Sequence, residues 1–180
     1  DAQGRLIKVT DPQGRHLQLH YADASSSHKD RGVTAIDTPV GRYEYRYGQG
    51  QGASNLTQVR LPGGAQRQYH FEDARHLHLL TGISLQDAPG QAAEHAERTE
   101  RLVTWLYDDA GLAVLGVKGR PAALQRDAQG QPLRPYRLQE GTGLEQVIIE
   151  RGKDRVTVHN ALGQTSHANW AQRSVNGQSL

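Results

Sequence analysis

The sequence predicts an all-β chain: consecutive antiparallel β-hairpins forming a curved, spiralling sheet, with at most one short helix or loop insertion near 91–100. Two observations carry this. Short runs alternate apolar and polar residues, which is the period of a strand with one covered face. Turn residues punctuate those runs, and the 180-residue chain holds 20 glycines and 7 prolines with an apolar content of only 36%. That makeup suits many short strands joined by tight turns better than one thick core.

The first hairpin is the clearest. Leu6-Ile7-Lys8-Val9-Thr10 and His16-Leu17-Gln18-Leu19-His20-Tyr21 flank Asp11-Pro12-Gln13-Gly14. Asp at the first position, Pro at the second and Gly at the fourth favour a type I turn. A two-residue loop closing Asp11 on Gly14 sets Val9 opposite His16 and Ile7 opposite Gln18, mixing apolar with polar on one face. A left-handed bulge at Gly14 pairs Asp11 with Arg15 instead. Val9 then faces Leu17, Ile7 faces Leu19, and Arg5 lies beside Tyr21. The second register puts all four apolar residues on one face, so it is the expected one.

The unit recurs. Gly32 to Tyr47 carries Asp37 and Gly41 around a turn, then Tyr43, Tyr45 and Tyr47 in alternation. Asn55 to Gly64 leads into Arg67 to Phe71. Leu79 to Leu85 leads through Asp87-Ala88-Pro89-Gly90 and an insertion to Leu102 to Asp108, and Val156 to Gln164 closes the series. Asp11, Asp37 and Asp87 mark turns at multiples of about 25 residues, with Leu61 at the missing step. Residues 91–100 form a helix or a loop tip. Residues 119–143 form either a weak hairpin around Asp127-Ala128-Gln129-Gly130 or a linker. Each hairpin alone is marginal, so neighbours must pair or stack.

Charge and composition bound the partners. The chain has 21 basic and 19 acidic residues, a net +2 with neutral histidines, which argues against nucleic acid and an anionic surface. No apolar run reaches the roughly 20 residues of a spanning helix. Cysteine is absent, so no disulfide or thiolate metal site exists. Methionine is absent too, and the chain is expected to be an internal piece of a longer polypeptide.

Several residues could carry chemistry, and each also has a structural role to fill. His70, His76 and His78 suggest a metal, with the last two on one strand face, but the ligand set is incomplete. Ser25-Ser26-Ser27-His28, with Asp23, Lys29 and Asp30, reads as a polar connector. Glu72 and Asp73 are adjacent and point to opposite faces of a strand, so they are not a carboxylate pair. The tyrosine ladder, with Tyr69, Phe71, Trp105 and Tyr107, suits a sheet face or a sugar-stacking surface. No catalytic residue, cofactor site or metal site is assigned, and no enzyme activity is expected.

These motifs resemble the YD repeats of bacterial RHS (rearrangement hotspot) proteins. The likeness rests on Gly4, Arg5, Leu6, Val9, Asp11, Gly14, Arg15 and Tyr21 in the first unit, and on Asp37 and Gly41 in the second. Two longer stretches are more specific: Tyr69-His70-Phe71-Glu72-Asp73 with His78, Thr81 and Gly82, and Thr104-Trp105-Leu106-Tyr107-Asp108 with Gly111. Asn160 to Thr165, including Gly163, is similar as well. The resemblance covers about residues 1–118 and 156–168. It divides the chain into hairpin repeats (1–118), an irregular or degenerate repeat (119–155) and a partial repeat (156–180). It implies a structural role in a shell that encapsulates or scaffolds a C-terminal toxin or effector of a secreted or cell-surface bacterial protein. The implied partners are adjacent repeats, that cargo and secretion machinery, with self-association of a fragment through sheet edges. The alternative is a cell-surface module that binds carbohydrate through its tyrosine-rich face. The family's self-cleavage element is not matched, so no catalytic residue carries over.

Overall fold

The computed structural model describes residues 1–22, 32–48, 54–90, 99–119, 124–133 and 146–169, together with the backbone of 174–175 and 178–179. The chain is all-β and antiparallel, and no helix occurs among the described residues. It divides into two compact units, Asp1–Glu100 and Arg101–Leu180.

The first unit contains β1 (Lys8–Thr10), β2 (His16–Tyr21), β3 (Val33–Thr38), β4 (Gly41–Tyr47), β5 (Leu56–Arg60), β6 (Gln66–His70) and β7 (Gly82–Gln86). Each strand pairs with its neighbour in sequence, so spatial order is chain order. The first hairpin adopts the bulged register: Val9 faces Leu17, Leu19 N donates to Ile7 O at 2.9 Å, and Asp11 N donates to Arg15 O at 2.9 Å. Gly14 has φ +82°, the left-handed value that the bulge requires.

The next turn differs from expectation in its position. Asp37 lies inside β3, opposite Arg42, and the two-residue turn Pro39-Val40 is closed by Thr38 opposite Gly41. Thr38 Oγ1 donates to Gly41 O at 2.8 Å and accepts from Val40 N at 3.2 Å, so threonine holds this turn. Residues 76–80 form a turn rather than a strand, with Leu79 N donating to His76 O at 3.0 Å, and β7 starts only at Gly82. His76 and His78 therefore share no strand face.

The second unit contains most of β8 (Thr99–Tyr107), then β9 (Ala113–Lys118), β10 (Gln146–Arg151), β11 (Arg155–Asn160) and β12 (Thr165–Asn169), and a separate pair β13 (Ser174–Val175) and β14 (Gln178–Ser179). Leu115 and Val117 of β9, each at most 2% exposed, pack with Leu106 of β8, Ile148 of β10 and Leu124. Register explains the cluster: Leu106 faces Leu115, and Leu115 faces Ile148, one apolar row across three strands. The stretch expected to be irregular, 119–155, thus contributes β10 and a hairpin turn at Asp127. The insertion near 91–100 falls on residues 91–98, outside the described residues, while Thr99 and Glu100 already belong to β8.

Candidate functional site

Among the described residues one five-residue turn occurs five times. It runs Asp1–Arg5, Asp11–Arg15, Asp108–Leu112, Asp127–Gln131 and Asn160–Gln164, with Gly4, Gly14, Gly111, Gly130 and Gly163 at the fourth position at φ between +74° and +82°. In each, the fourth residue's N–H donates to the first residue's carbonyl at 3.0–3.1 Å. The first residue's Oδ1 accepts from the backbone N–H of the third and fifth residues at 2.8–3.0 Å. One side-chain oxygen therefore satisfies two amides that a tight turn leaves without a ladder partner. Arg5 and Arg15 add a 2.7 Å contact from Nε to Oδ2 of the same aspartate. Leu61–Ala65 makes the same backbone turn, with Gly64 at φ +90°, but without a side-chain acceptor. Of these, the Asp1 and Asp108 turns are not identified as turns from the sequence, although Gly4, Arg5, Asp108 and Gly111 belong to its motifs; the shared spacing Asp/Asn-x-x-Gly is the signal that marks them.

A second recurring device is a tyrosine at a β-bulge. Pairing shifts by one residue at His20/Tyr21, Arg46/Tyr47 and Leu106/Tyr107. The hydroxyl of Tyr21 donates to Leu6 O at 2.7 Å and that of Tyr47 to Val33 O at 3.0 Å. The guanidinium of Arg5 lies 4.5 Å above the Tyr21 ring. Burial pushes the Tyr107 hydroxyl above the ordinary phenol range.

The register of β1–β7 sorts side chains into two faces. One carries Val9, Leu17, Leu19, Ile36, Tyr43, Tyr45, Val59, Arg67, Tyr69, Ile83 and Leu85. The other carries His20, Asp37, Arg42, Glu44, Arg60, His70 and Ser84. On this polar face ion pairs cross four strands: His20 Nε2 is 2.6 Å from Asp37 Oδ2, Arg42 Nη1 is 3.1 Å from Asp37 Oδ1, and Arg60 Nη1 is 3.6 Å from Glu44 Oε2. The His20 hydrogen bond, aided by Arg42, holds the Asp37 carboxyl below the usual range. On the apolar face, burial raises the Tyr45 pKa, and neighbouring Tyr43 and Tyr69 add to it.

The stretch from Tyr69 to Ser84 forms a hydrogen-bonded knot. His70 faces Gly82 and Tyr69 faces Ile83. Thr81, 6% exposed, receives the Glu72 N–H at 3.0 Å and donates to His70 O at 3.0 Å. His70 Nε2 is 2.8 Å from Ser84 Oγ, and His70 Nδ1 is 3.5 Å from Glu72 Oε1. The order serine, histidine, carboxylate is that of an activated nucleophile. Ser84 itself is buried, 4% exposed. Asp73 turns away to Arg75, whose Nη2 is 2.7 Å from Oδ2, and this pairing lowers the Asp73 pKa. His78 Nδ1 contacts Asn55 Oδ1 at 2.7 Å, and Asn55 Nδ2 donates to Leu77 O at 2.6 Å. No group of three metal-ligating side chains occurs among the described residues. Ser25 to His28, with Asp23, Lys29 and Asp30, lie outside them.

In the second unit, Trp105 lies across the strand from Gly116, and its ring edge comes to 3.4 Å of where a Cβ would stand on that glycine. With Val103, Lys118, Val147 and Leu162 it lines an open, mainly apolar groove of about 860 Å³. No helix among the described residues is long and apolar enough to cross a membrane. No protein-family model matches the chain, and no curated protein matches it.

Proposed function

We propose that the chain is a stretch of repeat wall, a structural part of an RHS-type shell that encapsulates or scaffolds the toxin or effector portion of a secreted bacterial protein. The observation that supports this best is the reuse of one turn. Five Asp/Asn-x-x-Gly turns, far apart in sequence, share the same hydrogen bonds, and the strands follow one another in chain order within each unit. A wall made by repetition needs such a joint, because every strand is added by the same local move. The polar clusters around Asp37 and His70 serve the same end, tying neighbouring strands together.

Limited proteolysis of the parent polypeptide tests the reading. A downstream segment that survives protease while the repeats are intact, and is digested once they are opened, is the expected result. A segment cut as fast as the same peptide free in solution overturns it. The alternative, a carbohydrate-binding module acting through the tyrosine-bearing face, predicts selective glycan retention on an array, abolished by Tyr45→Ala.

A further inference from the structure

The strands of the first unit separate charge by face more completely than a solvated sheet requires. Their only carboxylates, Asp37 and Glu44, lie on the polar face and are paired there with His20, Arg42 and Arg60. Lys8, Arg42, Arg46 and Arg60 share that face. By register, Arg67 is the one charged residue on the apolar face. It stands in a row with Val59 and Leu85, two residues from Tyr69 and one strand beyond the partner of Tyr45. Val59, between Tyr45 and Arg67, is 7% exposed, whereas Arg67 itself is exposed. Among the described residues, no hydrogen bond or ion pair engages the Arg67 guanidinium or the hydroxyls of Tyr43, Tyr45 and Tyr69.

We propose that this face is an interaction surface for an apolar polypeptide segment carrying a carboxylate, with Arg67 reading the carboxylate and the Tyr43, Tyr45 and Tyr69 rings covering the flanking side chains. Charge complementarity selects the occupant. Among the residues of strands β1–β7 this face offers one cation, three hydroxyl donors and no carboxylate, so an acidic group gains a charge-assisted, two-pronged hydrogen bond that neither a neutral nor a basic group can make. Tyrosine and arginine are also the side chains that concentrate binding energy in polypeptide interfaces, because large rigid rings exclude water around a charged contact. The inference does not depend on the container reading: a free-standing module with this face has the same preference.

Blocked decapeptides of leucine, valine and threonine with one central Glu, Gln or Lys, titrated into the full chain, provide the test. The expected result is a preference for Glu over Gln of about tenfold, the scale of one hydrogen bond to a charged group. That preference is lost in Arg67→Gln and reduced in Arg67→Lys, which keeps the charge but not the two-pronged contact. Shifts of the Arg67 Nε–Hε and tyrosine ring resonances place the peptide on this face, and native-like spectra of Arg67→Gln show that it folds. Equal affinity for Glu and Gln peptides, or a Glu preference that survives Arg67→Gln, overturns the proposal. So does tighter retention of uronic-acid glycans than of any peptide.

Discussion

Within each Asp/Asn-x-x-Gly turn the first and fourth residues do different work. The first supplies an oxygen, and the fourth supplies a backbone conformation that side chains resist. Gly14 has open space around it, so Gly14→Ala costs only the left-handed strain, about 1–2 kcal/mol. Gly41 is different: at φ +126° its added Cβ falls 2.6 Å from Pro62 Cβ. Gly41→Ala is thus expected to destabilise more than Gly14→Ala, measured by urea denaturation of each variant; equal midpoints would contradict the contact. Asp73 gives a pH-dependent counterpart. A carboxylate with a lowered folded pKa stabilises the fold above its unfolded value, near 3.9, and loses that contribution as pH falls through the folded one. Arg75→Gln should raise the Asp73 pKa toward the ordinary range in a carboxyl ¹³C titration. The stability gap between native and variant should be full at neutral pH and close below about pH 4. The first hairpin's register was legible in the sequence because only one register gathers Ile7, Val9, Leu17 and Leu19 on one face. Asp37 was misplaced as a turn residue because Thr38 next to it serves equally well, and spacing alone does not separate them.

At the scale of elements, burial is uneven. β9 carries the most enclosed side chains, while Val9 and Leu17 at the first hairpin are 45% and 40% exposed. Removing the Leu115 side chain leaves a cavity between Leu106 and Ile148, so Leu115→Ala should cost about 3 kcal/mol. Leu17→Ala, at an open position, should cost well under half of that. Thermal melts of the two variants decide it; comparable losses would mean that Leu17 is covered in solution. Strand identity followed from alternation wherever turn residues bounded a run. The hairpin at Asp127 could not be separated from a linker, because its flanks have few apolar residues; among the described residues its ladder holds the Arg126–Pro132 bridge and a bond from Leu133 N to Gln125 O. The knot around Thr81 was invisible as geometry. A threonine that bonds both His70 and Glu72 needs a turn across 71–81, and no local pattern prescribes one.

For the molecule as a whole, a sheet grown by adding strands in order ends in a strand with an unpaired side. β1 pairs only with β2 among the described strands. Its first residue, Lys8, is exposed on the polar face, where a lysine discourages a second chain from pairing. Lys8→Val should therefore raise the concentration-dependent association of the chain, seen as an increase in weight-average mass by light scattering. An unchanged mass at matched concentration would show that the β1 edge is protected in another way. All-β organisation was legible from glycine content and period-two runs. The sorting of charge by face was not, because it needs the register of seven strands at once.

The recurring turn has one more consequence. Its hydrogen bonds reach the backbone of the third and fifth residues and the side chain of the first, so the turn itself makes no demand on the side chain at position two. Ala2, Pro12, Asp109, Ala128 and Ala161 occupy that place with no common chemistry. The chain has no cysteine. A single Ala2→Cys, Ala128→Cys or Ala161→Cys substitution thus creates a unique attachment point at a known joint, and dyes placed there in pairs turn the turns into calibrated marks of a molecular ruler.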